Sequence, residues 1–114
     1  MIGSQSQPKA FPPGILKTET LVMVNKARHI NSLGFSILNR WMLSDPDLLR
    51  KLEQKNEMLI IMSVLNQQTK EQRILDSPNG QKMKAQGQTD YEILSQNGVD
   101  TTLQSAIAET GVIM

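Results

Sequence analysis

Two amphipathic helical patterns, residues 20–43 and 46–75, meet at Ser44-Asp45-Pro46-Asp47, and each is long for the compact body that 114 residues make. In the first, Met23, Ala27, Ile30, Gly34, Ile37 and Trp41 recur at alternating spacings of four and three, the apolar stripe of a helix. Asn25, Arg28, His29, Ser32, Ser36 and Asn39 occupy the opposite, polar side. Gly34 lies inside the stripe, where it costs about 1 kcal/mol of helix propensity relative to Ala but lets a second helix approach closely. A crossing point is expected there, with a kink as the alternative.

The second pattern opens on strong local chemistry. Asp45 can cap free backbone N–H groups, Pro46 suits the first helical position, and Asp47 favours the positive end of the helix dipole. Leu48, Leu52, Leu59 and Met62 then mark one face and Met58, Ile61 and Leu65 the other, so residues 58–65 are apolar nearly all round. Such a segment needs cover on both sides. It is far shorter than the roughly 20 residues that cross a bilayer, which leaves a core helix or a subunit interface, with a buried strand as the competing local reading. Continued to Leu75, before the stop signal Ser77-Pro78-Asn79-Gly80, this helix is about 45 Å long. A compact chain of this size is only about 34 Å across. Either the helix breaks near Asn66 or its far end packs on another molecule.

Composition narrows the function classes. Twelve basic residues against 11 acidic ones give no global field for nucleic acid or anionic membrane. The absence of cysteine excludes disulfides, thiol nucleophiles and thiolate metal sites, and fits a reducing cytoplasm. Residues 1–8 carry neither a basic nor an apolar run of the secretory kind, so no secretory signal is expected. Residues 1–14, ending in Phe11-Pro12-Pro13-Gly14, read as an extended N-terminal arm, because proline resists helix.

Beyond the long pair, residues 81–88 read as a basic, polar connector. Two short helices follow, one from a Thr89 or Asp90 cap to Asn97-Gly98 and one from an Asp100 cap to Gly111. Helix, glycine turn, helix is the outline of a DNA-reading helix-turn-helix. In its favour stand Thr101, Thr102, Gln104 and Ser105, whose side chains can reach base edges or phosphates. Against it, the second helix has no Arg or Lys, the side chains that dominate DNA affinity.

No catalytic constellation is legible. His29 is the only histidine, on a polar helix face without a carboxylate close in sequence. Asp45 and Asp47 are explained by their cap and helix-dipole roles, and Glu53 and Glu57, interleaved with Lys51 and Lys55, read as a solvated face. There is no phosphate loop, nucleophile elbow or zinc spacing. Neither a metal nor a cofactor is expected. The seven methionines, Met23, Met42, Met58 and Met62 among them, suit either core filling or an adaptable binding surface.

The sequence therefore predicts an all-α protein: an N-terminal arm (1–14), an antiparallel αα-hairpin of two long helices (15–78), and a connector with a short C-terminal helical pair (79–114). Its expected role is non-enzymatic, as a subunit of a larger multiprotein assembly such as a virion, a secretion machine or another bacterial complex. A protein partner or a second copy would contact Met58, Leu59, Ile61, Met62 and Leu65, in the cytoplasm or within a particle, and no membrane is involved. The alternative is a small DNA-binding regulator reading through Thr101, Thr102, Gln104 and Ser105 within residues 90–110.

Overall fold

The computed structural model describes residues 11–12 and 14–111, which form seven helices and, among the described residues, no strand. The all-α reading is correct, but both long helices are divided. The first becomes α1 (Thr18–Lys26) and α2 (Ser32–Ser44), and the second becomes α3 (Pro46–Lys55) and α4 (Glu57–Leu75). The expected connector is itself a helix, α5 (Pro78–Ala85), followed by α6 (Asp90–Gln96) and α7 (Leu103–Thr110).

Each break has an identifiable cause. At the first, Ala27 is extended, and Asn31 restarts the helix by accepting a 3.1 Å hydrogen bond from the Gly34 N–H. The linking turn is held from outside. Gln68 of α4 donates through Nε2 to the His29 carbonyl at 2.8 Å, and its Oε1 accepts from the Asn31 N–H at 3.1 Å. That arrangement explains Gly34, because a Cβ there would collide with the Gln68 amide oxygen and the Ile30 side chain. The close approach expected at this glycine is thus made by one side chain of α4. At the second break, Asn56 is extended and its side chain accepts from the Met58 N–H at 2.9 Å, opening α4 as a new helix. With only 19 residues, α4 is about 28 Å long and fits within the 44 × 40 × 22 Å extents of the fold.

Proline and the hydroxyl caps set the remaining boundaries. Pro78, read as a stop, occupies the first turn of α5 behind a Ser77 cap that accepts from the Gly80 N–H at 2.9 Å. Thr89 and Glu92 form a reciprocal capping box on α6. Thr102, not Asp100, caps α7, and Asp100 in turn accepts from the Thr102 N–H and hydroxyl. Gly111 ends α7 at φ 78°, the left-handed conformation that glycine tolerates best.

The main core joins α2, α3, α4 and α7, with Ile37, Leu38, Trp41, Leu49, Leu52, Ile60 and Val64 inaccessible to solvent and Leu103, Ala106 and Ile107 closing it. Leu75, Met83, Ile93 and Leu94 form a smaller cluster beneath α5 and α6. Most of the expected N-terminal arm lies outside the described residues. Its described end packs on this chain, where Phe11 meets Phe35 with ring centroids 6.3 Å apart, and just beyond the arm Leu16 is buried. Arg50 donates to the Gly14 and Ile15 carbonyls, and Glu53 accepts from the Lys17 N–H at 2.8 Å. Glu53 is therefore buried and engaged, a correction to its reading as half of a solvated pair.

Candidate interaction surface

The apolar run 58–65 lies in the first turns of α4, which sort it by side. Ile60, Ile61 and Val64 turn into the core, and Ile61 is only 8% exposed. Leu59 and Leu65 are half-buried against that core. Met58 and Met62, one turn apart, point outward at 46% and 49% exposure. Of the five residues expected to meet a partner, Met58 and Met62 present nearly half of their surface to solvent, Leu59 and Leu65 are half-buried beside them, and Ile61 belongs to the fold. The surface continues into an open groove of about 470 Å³ between α4 and α7, lined by Met62, Leu65, Asn66, Thr69, Glu109 and Thr110. An ion pair between Lys70 and Glu109 spans the two helices and neutralises both charges beside the apolar residues.

A second concavity, of about 540 Å³, opens between α2, α4, α5 and α6. Leu33, Leu75 and Leu94 line it, Tyr91 stands at 66% exposure, and Lys84 and Asp90 pair at 3.4 Å. Arg40 and Glu71 also line it. The Arg40 Nη2 donates to Glu71 Oε2 at 2.6 Å and Nη1 to Oε1 at 3.5 Å. Glu71 is wholly inaccessible and also accepts from Gln67 Nε2 at 2.8 Å. Gln67 Nε2 donates in addition to the Asp100 carbonyl at 2.9 Å, and Trp41 Nε1 donates to the Thr101 carbonyl at 3.0 Å. This network ties α2, α4 and the turn before α7 together. The Glu71 carboxylate thus accepts three hydrogen bonds, and its buried charge is matched by Arg40.

Sequence reasoning missed Arg40, Gln67 and Glu71, although a signal was present. Ile60, Val64, Gln67, Glu71 and Leu75 are spaced by four, three, four and four, so the two polar residues lie on the buried line of α4.

The alternative DNA-reading residues sit around the start of α7. Thr101 is half-buried, Thr102 is exposed but occupied as cap, Gln104 is exposed, and Ser105 is half-buried beneath the cap. Beside them stands the Asp100 carboxylate, held below its ordinary pKa by the Thr102 N–H and hydroxyl hydrogen bonds. A fixed negative charge at this position opposes approach of a phosphate backbone. His29 is exposed, but it lies in the turn between α1 and α2 and not on the helix face the sequence suggested. Among the described residues no group of three or more His, Cys, Asp or Glu side chains converges as a metal site, and no helix is long and apolar enough to cross a membrane. Compared with family models, curated proteins and solved structures, the chain matches none.

Proposed function

We propose that this chain is a non-enzymatic helical interaction protein that works as a subunit of a larger multiprotein assembly, of the virion, secretion or other bacterial kind, in the cytoplasm or within a particle. The observation that carries this reading is the outward pair Met58 and Met62 on a helix whose neighbouring aliphatic residues are buried. Each methionine leaves about half its surface in water beside half-buried Leu59 and Leu65, and unbranched thioethers adapt readily to a partner's shape. In this reading α2 and α4 act as the hairpin-like scaffold that holds the face rigid, and a protein partner or second copy covers it. DNA reading through residues 90–110 has weaker support, because Thr102 is committed to capping and Asp100 is charged beside it.

Light scattering over a range of concentrations tests the proposal on the full chain. Association above the 12.8 kDa monomer that disappears in Met58→Lys/Met62→Lys, with helicity unchanged, supports a self-associating face. A monomer at every concentration removes self-association. Retention on a phenyl matrix then decides whether the face is adhesive: retention unchanged by the double substitution defeats the reading.

A further inference from the structure

We propose that Met58 and Met62 form an oxidation-sensitive pair, at which oxygen transfer from a hydroperoxide abolishes the adhesive face of α4 without unfolding the protein. The consequence for binding rests on the interaction reading above, whereas the selectivity of the reaction stands on burial alone. The two residues are 46% and 49% exposed and one helical turn apart. Met42 is 1% exposed and Met83 9%. The Met83 sulfur also accepts from the Asn79 and Asn97 side-chain amides at 3.6 and 3.7 Å, which engages its lone pairs. Met23 is half-buried against the core. Among the described residues, access to peroxide is therefore concentrated on one side of one helix.

The reaction needs no residue beyond the thioether. A sulfur lone pair attacks the terminal O–H oxygen of the hydroperoxide, the O–O bond breaks as the S–O bond forms, and the proton on the transferred oxygen passes through solvent to the departing hydroxide or alkoxide, leaving sulfoxide and water or alcohol. Sulfur is oxidised by two electrons and the peroxide is reduced by two. The product is a polar, chiral sulfoxide in place of a flexible apolar group. Placed at positions 58 and 62, two sulfoxides lie on the same face and make it hydrophilic, while Ile60, Ile61 and Val64 keep the inner side of α4 in the core. The fold and the face are thereby separable. An oxidant in the surroundings acts on the uncovered form and leaves it unable to make an apolar contact through this face.

The experiment treats the full chain with hydrogen peroxide, maps the added oxygen by peptide mass analysis, and follows helicity and phenyl-matrix retention at each time point. Expected is conversion of Met58 and Met62 about ten-fold faster than Met42 and Met83, following exposure, with helicity intact and retention falling in step. Met58→Leu/Met62→Leu should keep its retention through the same treatment. Conversion of Met42 and Met83 at the same rate overturns the proposal, as does loss of helicity with the first oxygen. A retention loss that persists in the leucine variant also overturns it. If oxidation is selective but retention does not change, the switch fails and the interaction reading survives. If retention of the unoxidised chain is insensitive to Met58→Lys/Met62→Lys, the interaction reading itself fails, whatever the oxidation map.

Discussion

The two sides of α4 invert the usual assignment of polarity to depth. Its inner side buries Gln67 and Glu71 completely, and its outer side leaves Met58 and Met62 half in water. The inner charge and donors are answered, Glu71 by Arg40 and Gln67, and the Gln67 amide nitrogen by Glu71 and the Asp100 carbonyl, although Gln67 Oε1 makes no hydrogen bond. The outer apolar groups have no comparable answer within the described residues. What separates the two sides is therefore that the buried charge on the inner side is paired while the outer side exposes apolar groups, and substitutions on each side should have different consequences.

The largest effect is expected on the inner side. Glu71→Ala removes the carboxylate that neutralises Arg40 and accepts from Gln67, and it opens a cavity. Breaking one partner of a buried pair typically costs about 3–5 kcal/mol, and because the Arg40 side chain is about one-third exposed the lower end applies. Urea unfolding followed by circular dichroism measures it. Replacing both partners, as Arg40→Met/Glu71→Met, should recover most of the loss, since an apolar pair leaves no uncompensated charge. If the double variant is no better than the single one, the network contributes more than charge compensation.

Gly34→Ala comes next. Its new Cβ would meet the Gln68 amide oxygen and Ile30, and overpacking of this kind costs about 1–3 kcal/mol. Gln68→Ala on its own loses the hydrogen bonds to His29 and Asn31. In combination the two should cost less than their sum, because the second removes the obstacle that the first strikes. Strict additivity in the double-mutant cycle would mean that Gln68 does not set the spacing between α2 and α4.

Thr102→Ala sharpens the comparison at the point where the inner side reaches α7. Loss of the cap should cost about 1 kcal/mol. The same substitution deletes the hydroxyl that donates to Asp100, so its carboxyl pKa should rise back towards the ordinary range, read by side-chain NMR titration. The sign follows from the depression of the folded pKa. In the native protein the stabilisation linked to Asp100 is present above the ordinary carboxylate range and is lost as pH falls through the lowered value. Thr102→Ala should shrink that acid-side dependence. An unchanged Asp100 titration would assign the depression to the Thr102 backbone N–H and the nearby Lys70 charge.

How much of this was legible in the sequence depends on the range of the interaction responsible. Pro46, Thr89 and Gly111 mark helix ends through contacts a few residues long, and all three were readable. The breaks at Ala27–Asn31 and Asn56 were not, because the apolar period runs through them in phase: Met23, Ala27, Ile30 and Gly34 keep their spacing across a turn. That turn is secured by Gln68, 37 and 39 residues away from the groups it bonds. Glu53 was misread for the same reason, since its partner is the Lys17 N–H, 36 residues distant. Pro78 suits a helix stop and a helix start equally, so α5 was read as a connector. Within residues 58–65 every position but Ser63 is apolar, and composition cannot say which side faces the core. Hence Ile61 was grouped with Met58 and Met62 although it is buried.

The outer side gives the smallest expected change in stability and the most direct test of the contrast. Met58→Lys and Met62→Lys each replace a half-exposed thioether with a long side chain that keeps its methylenes on the helix and its ammonium in water. Lysine is as good a helix former as methionine, so each substitution should lie within about 0.5 kcal/mol of the parent in urea unfolding. Loss of retention on the phenyl matrix without loss of stability would separate adhesion from folding on a single helix. A cost of about 2 kcal/mol or more from either substitution would instead mean that the methionine supports the core, as Ile60 and Val64 do. In that case the two sides of α4 would differ in degree of burial only, and the outer side would have no claim to be a separate surface.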